Sequence, residues 1–221
     1  MKTVKLLALM LFSIQAGAQY HSFGFGTGSS AFRGETTATG KIIEEPGLNL
    51  YVYYSYWLPS DERWQIIGMA HLDYIHGKRA SAASDGGNSY DAHSYLVSTL
   101  GGIRYYADRD ITEYVPEKYQ GGVFAGLYVG PALAYSNYVT PSVIDPLSDT
   151  YKTTPTLSFN ALGEIGYRMF WNQHWAYEAS LGLQSGFNDR WDGMKGNSGV
   201  PDFILQFSIG ASYSFYAFGK K

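Results

Sequence analysis

The sequence predicts an all-β fold, a closed antiparallel up-and-down transmembrane β-barrel of about eight strands, and three observations lead there. Apolar side chains recur with a period of two in segment after segment, the alternation of a strand. After residue 18 no stretch approaches the roughly 18 consecutive apolar residues of a membrane-spanning helix. Charged residues make up only 16% of the chain, against about 25% in soluble domains, while aromatic residues reach 17%.

The first eighteen residues read as an export signal. Lys2 and Lys5 precede the apolar run Leu6 to Phe12, and Gln15-Ala16-Gly17-Ala18 places small residues just before Gln19. A basic, an apolar and a small-residue region in that order are the parts of a cleaved secretory peptide. The apolar run falls far short of the roughly 20 residues a transmembrane helix needs. The expected organisation is therefore a signal peptide, residues 1–18, and one barrel domain, residues 19–221. Cleavage leaves 203 residues and takes away two lysines, so the formal charge moves from −3 to −5. The absence of cysteine excludes a disulfide framework and a lipoprotein anchor. A mildly acidic balance without basic clusters excludes the electrostatic footprint of a nucleic-acid partner.

Each strand follows from its alternation. Tyr20 to Phe32 is a glycine-rich first strand with Phe23 and Phe25 on one face. Gly47 to Leu58 sets Leu48, Leu50, Val52, Tyr54 and Tyr56 against Asn49, Tyr51, Tyr53, Ser55 and Trp57. Arg63 to His76 sets Trp64, Ile66, Gly68, Ala70, Leu72 and Tyr74 against a mixed face with Gln65, His71 and Asp73. In Ser94 to Tyr106, Tyr95, Val97, Ile103 and Tyr105 oppose Ser94, Ser98 and Arg104, with Leu96 and Leu100 as intruders on the polar face. Val123 to Tyr135 is apolar at every odd position, and its Pro131, which cannot donate to a ladder, predicts a bulge or a strand end. Leu157 to Met169 sets Phe159, Ile165 and Tyr167 against Asn160, Glu164 and Arg168. Trp175 to Phe187 sets Leu181 and Leu183 against Glu178 and Gln184. Phe203 to Phe215 alternates most cleanly, Phe207, Ile209 and Tyr213 opposing Gln206, Ser208 and Ser212. Each segment is long enough to cross a bilayer at the usual tilt, which takes roughly 9 to 11 residues.

The connections alternate in length. Pro59–Glu62 and Trp171–His174 are short, with Asp108–Gln120 as a longer exception; Arg33–Pro46, Gly77–His93, Val139–Pro155 and Asn188–Asp202 are long. Transmembrane barrels pair short periplasmic turns with longer extracellular loops, so both termini belong on the periplasmic side. A soluble barrel or sandwich would also alternate, but its polar face would be rich in Lys, Glu and Asp. Here that face is mostly Gly, Ser, Ala and Gln with isolated charges, as suits a narrow lumen filled by small side chains. Aromatic residues of the apolar face fall into two bands, as expected at bilayer interfaces. Tyr56, Trp64, Tyr105, Tyr167, Trp175, Tyr177 and Tyr213 form the periplasmic band; Tyr74, Tyr95, Tyr135, Phe159, Phe187 and Phe203 form the outer one.

Four of the isolated charges, Arg104, Arg168, Glu164 and Glu178, fall on the polar face in the periplasmic half. Single charges in a tight lumen are costly to desolvate, so these four are expected to pair with one another and close the barrel. Nothing in the pattern points to a catalytic residue, a metal or a cofactor. His93-Ser94 are neighbours in a strand and point to opposite faces. His174 and Glu178 read as a turn histidine and a lumen carboxylate. Asp189, Asp192, Gly193 and Asn197 carry calcium-type donors, but their spacing does not match an EF-hand loop.

The run Ser208-Ile209-Gly210-Ala211-Ser212-Tyr213-Ser214-Phe215 resembles the last-strand signal by which the barrel assembly machinery recognises outer-membrane proteins: polar residue, Gly, aromatic and aromatic at Ser208, Gly210, Tyr213 and Phe215. The chain differs in that Tyr216 to Lys221 follow the last aromatic. In pattern the whole mature chain resembles OmpA-like and OmpX-like small barrels, and in size and style the accessory barrels of type IX secretion. The resemblance implies the bacterial outer membrane as location. It implies outer-membrane lipid, lipopolysaccharide and the assembly machinery as partners, with an envelope protein as a further one. Some small barrels modify lipid A, and a deacylase of that kind would be expected to carry a His-x-Ser pair, which this sequence lacks. The expected role is structural or interactive, with the long loops as recognition surface; a narrow, porin-like channel is the alternative and a lipid-modifying enzyme the third reading.

Overall fold

Among the described residues eight strands form in sequence order: β1 (His21–Arg33), β2 (Gly47–Trp57), β3 (Trp64–Arg79), β4 (Tyr90–Tyr106), β5 (Gly121–Val139), β6 (Lys152–Phe170), β7 (Trp175–Gly186) and β8 (Phe203–Ser214). Each pairs antiparallel with the next, and β8 pairs with β1, so the sheet closes into a barrel with no free edge along the shared rows. The computed structural model describes residues 21–33, 46–58, 61, 63–79, 90–107, 121–139, 152–172, 174–187 and 202–215. The export signal and the calcium-type residues Asp189, Asp192, Gly193 and Asn197 lie outside them.

The period-two pattern becomes an alternation of burial. Along β2 every second residue from Gly47 to Trp57 is buried except the half-buried Tyr51, and Leu48, Leu50, Val52 and Tyr54 are exposed. The exposed face is the apolar one throughout: Leu127 is 58%, Ile165 61% and Ile209 54% exposed, whereas Ser98, Asn160 and Gln184 are fully buried. This inverts the usual distribution in water, where large apolar surfaces are covered.

The registers fix the shape. A path from Ser22 through the directly opposed residues Ser55, Ile67, Gly102, Tyr128, Leu162, Gln184 and Ile204 of successive strands returns to β1 at Phe32, ten residues further along. With eight strands, the usual rise and spacing, that stagger tilts the strands by about 40° and sets a backbone radius of about 8 Å. Such a barrel has just enough interior for side chains.

The same geometry places the two aromatic bands about 25 Å apart, the usual height of a transmembrane barrel's apolar belt. Ring contacts join members of one band: Trp64 to Tyr105 at 4.8 Å and Trp175 to Tyr213 at 5.1 Å on one side, Tyr74 to Tyr95 at 5.3 Å and Phe159 to Phe187 at 6.0 Å on the other.

Two expectations change. Pro131 makes neither a bulge nor a strand end: β5 continues through it, and the β4–β5 register is the same below it, at Gly101↔Val129, and above it, at Ser98↔Ala132. Odd residues of β5 turn their backbone groups toward β4, as in the Ala107 N–H to Val123 carbonyl bond. The missing N–H of Pro131 therefore costs one local interruption of that ladder and leaves the β6 side intact at Pro131↔Phe159. The strands are also longer at the loop-rich end than the apolar pattern indicates. β3 and β4 pair up to Arg79↔Tyr90, and β5 and β6 up to Tyr138↔Lys152, through residues assigned to loops by composition. Above the hydrocarbon a strand no longer needs an apolar face, so the ladder outlasts the alternation.

Candidate functional site

The lumen is filled in layers. At the end where β1 begins and β8 ends, Trp57, Tyr106, Phe124, Phe170 and Ala176 form an apolar floor. Above it come the four charges. Tyr53, Ile67, Met69, Leu100, Tyr128 and Leu162 form a middle apolar layer. A polar layer of Asn49, His71, Asp73, Ser98, Asn160, Gln184 and Gln206 follows, and Phe32, Ile75, Leu96, Ala132, Ala134 and Ile204 close the top. The intruders Leu96 and Leu100 are thus members of the apolar layers, as is Leu162 on the inner face of β6.

The structure brings Arg104, Arg168, Glu164 and Glu178 together. Arg104, on β4, is the hub: its Nη2 donates to Glu164 Oε1 at 2.8 Å and its Nη1 to Glu178 Oε2 at 3.0 Å. Its guanidinium lies 4.1 Å from the centroid of the Phe124 ring. Tyr128 donates to Glu164, and its hydroxyl oxygen accepts from Arg104 Nε at 3.0 Å. Glu178 Oε1 accepts from Tyr53 at 2.6 Å and from Ser212 at 3.2 Å. With both its oxygens so engaged, Glu178 leaves Arg168 at a looser 3.7 Å. Arg168 is held instead between Trp57 and Phe170, its guanidinium 5.3 Å and 5.1 Å from their rings, with one donation to the Tyr106 hydroxyl at 3.4 Å. Two positive and two negative side chains make the cluster neutral, and its low-dielectric surroundings strengthen each pairing.

The sequence reading missed the tyrosines. Tyr53, Tyr106 and Tyr128 are fully buried and bond the charges directly. Their only sequence signal is parity, since all three fall on the face that also holds the charges. The lumen is accordingly filled by large side chains as well as small ones, which corrects the expectation from composition. Inward glycines make room for the rings: a Cβ on Gly24 would stand 2.2 Å from the Tyr53 ring, and one on Gly166 would stand 2.3 Å from Phe124 Cζ. Tyr53 is pinned by its bond to Glu178 and cannot move aside cheaply. Gly24→Val is therefore expected to destabilise the barrel by about 1 to 3 kcal/mol through overpacking, read as a lower urea midpoint. Gly182→Ser, whose Cβ would meet the side-chain ends of Leu162 and Gln206 at 3.1 Å and 3.3 Å and the Gly163 carbonyl at an ordinary 3.6 Å, should change it little.

The upper polar layer is a second network. Gln206 Nε2 donates to Asp73 Oδ1 at 3.0 Å and to Gln184 Oε1 at 3.1 Å, and Ser208 donates to Asn49 at 3.1 Å. His71 Nδ1 lies 3.1 Å from Asp73 Oδ2. The space between this layer and the charges, lined by Tyr51, His71, Glu164 and Ser208 among others, is about 10 Å³ for the centre of a water molecule, about what one water requires. His174 sits at the turn, its Nδ1 3.0 Å from the Ser214 carbonyl. Of the last-strand residues, Ser208 and Gly210 point inward, while Tyr213 lies on the outer wall with the Phe215 ring edge-on to it at 5.8 Å.

No family model matches the chain, and no curated protein matches it. Solved structures do. The chain is similar to the attachment invasion locus protein Ail of Yersinia pestis, at 15% identity over 88% of this chain and 97% of that one, with a TM-score of 0.47. It is similar to Neisserial surface protein A at 11% identity, covering 89% and 97%, with a TM-score of 0.46. It is also similar to the outer membrane protein OprG from Pseudomonas aeruginosa at 12% identity, covering 91% and 99%, with a TM-score of 0.45. These are likenesses of fold at low identity.

Proposed function

We propose that the chain is an integral protein of the bacterial outer membrane whose closed barrel is a scaffold, with the four long connections at one rim serving as a recognition surface for an envelope protein. The observation that supports this reading best is the pairing of an apolar, aromatic-girdled exterior with an interior packed shut by ion pairs, rings and amide networks. A wall of this kind is solvated by lipid and lipopolysaccharide. Ser208, Gly210, Tyr213 and Phe215 would present the assembly signal during biogenesis. A lumen whose gap between the charges and the upper polar layer has room for about one water favours a scaffold over a channel.

Planar-bilayer recording of the refolded protein tests this. The expected result is no steady unitary conductance, with the protein fractionating with outer membranes and running faster on gels unheated than boiled. A large, steady conductance would establish the channel reading instead, and recovery in the soluble periplasm would overturn the membrane assignment. Lipid A mass spectrometry after expression should show no change; a shifted mass would establish the enzyme reading.

A further inference from the structure

Strands β3 and β4 stay paired beyond the outer aromatic band, and the first outward pair above Tyr74 and Tyr95 is His76 opposite His93. Rise and tilt set this pair about 5 Å above the band, in the headgroup layer of the leaflet on the loop-rich side. Both side chains are half-buried on the outer wall. Their imidazoles stack with centroids 4.2 Å apart and planes 13° from parallel. The Tyr74 hydroxyl lies 2.7 Å from Nδ1 of His93.

This arrangement has the parts of a metal site. Directly opposed residues of an antiparallel pair have Cβ atoms about 4.5 to 5.5 Å apart, a reach over which two imidazoles can bind one ion with Zn–N bonds of about 2.0 to 2.1 Å. The terminal torsion of histidine is broad, so turning the rings out of the stack to converge on one point is inexpensive. A metal-bound histidine directs its other ring N–H at an oxygen acceptor, which fixes the tautomer. The Tyr74 hydroxyl stands where that acceptor belongs, leaving Nε2 of His93 as the coordinating atom. Imidazole donors select zinc, copper or nickel over calcium or magnesium, which take oxygen ligands.

We propose that His76 and His93 form a two-histidine site for a divalent transition-metal ion on the outer rim of the wall, with Tyr74 as the positioning residue. Among the described residues no three His, Cys, Asp or Glu side chains stand together as a metal-binding group. Two imidazoles fill two coordination positions, and water or another donor takes the rest. The remaining histidines serve as controls: His21 hydrogen-bonds to Tyr54 at the other rim, His174 sits on the Ser214 carbonyl, and His71 is enclosed in the lumen.

The test uses the untagged, folded protein in detergent, titrated with Cu²⁺ alone and followed by electron paramagnetic resonance, with Zn²⁺ titrated by calorimetry. One ion per chain is expected, with hyperfine structure from two imidazole nitrogens. His76→Ala and His93→Ala should each reduce that signal to one nitrogen and weaken affinity about tenfold or more. Tyr74→Phe should keep both nitrogens yet weaken binding about tenfold, the usual effect of losing an outer-shell partner. His21→Ala combined with His174→Ala should change nothing. Heat-modifiable gel migration shows that every variant is folded. If the His76→Ala, His93→Ala double variant binds Cu²⁺ as the parent does, or if the parent gives no two-nitrogen signal, the pair is only a packing contact and the proposal fails.

Discussion

Replacing Arg104 with alanine is expected to destabilise the barrel by about 3 to 5 kcal/mol, because it strands Glu164 and Glu178 in a lumen that has already taken them out of water. Arg104 makes the closest ion pairs of the cluster, at 2.8 Å and 3.0 Å, and is itself buried. Unfolding in urea followed by tryptophan fluorescence should show the lower midpoint. Adding Glu164→Gln to Arg104→Ala should recover part of the loss, since the excess charge is then smaller. Arg168→Ala should cost less, because its partner Glu178 stands 3.7 Å away and its other supports are rings. Removing both arginines should, where the barrel still folds, admit a leak of ions through the floor. An Arg104→Ala barrel as stable and as closed as the parent would show that the cluster neither holds nor seals the lumen.

The second large effect belongs to the outer wall. Leu181 and Ile209 are 51% and 54% exposed on the apolar face, and the register sets both near the middle of the belt. Arginine at either position should cost about 2 to 4 kcal/mol, the penalty for that side chain at the bilayer midplane. The yield of heat-resistant, fast-migrating protein should fall accordingly. Ser208→Ala, on the inner face one residue from Ile209, removes a single hydrogen bond to Asn49 and should cost only about 1 kcal/mol. Equal effects at positions 208 and 209 would mean that the wall is not facing lipid.

What the sequence determined by itself is everything that depends on parity. The alternation of Phe203, Leu205, Phe207 and Ile209 with Ile204, Gln206 and Ser208 assigns each side chain to lipid or lumen, because successive residues of a strand point to opposite faces. Eight such segments gave the strand number, and the lengths of the connections led to an expectation of which end is periplasmic. Arg104, Arg168, Glu164 and Glu178 could thus be named as lumen groups toward one end of the barrel. Parity leaves the register open, since sliding a strand by two residues keeps every side chain on its own face. Sliding β5 by two residues against β4 would carry Tyr128 away from Arg104 without exposing a single polar group. Only the closed sheet, with its stagger of ten residues between Ser22 and Phe32, decides that Arg104 is the hub and Arg168 the looser partner. The same registers decide that Tyr53 and Tyr128 supply hydroxyls to the carboxylates, and that Gly24 lies beneath the Tyr53 ring. The lengths of β3 to β6 beyond the belt were likewise a tertiary matter, because outside the membrane backbone pairing persists where the apolar pattern that reveals it has ended.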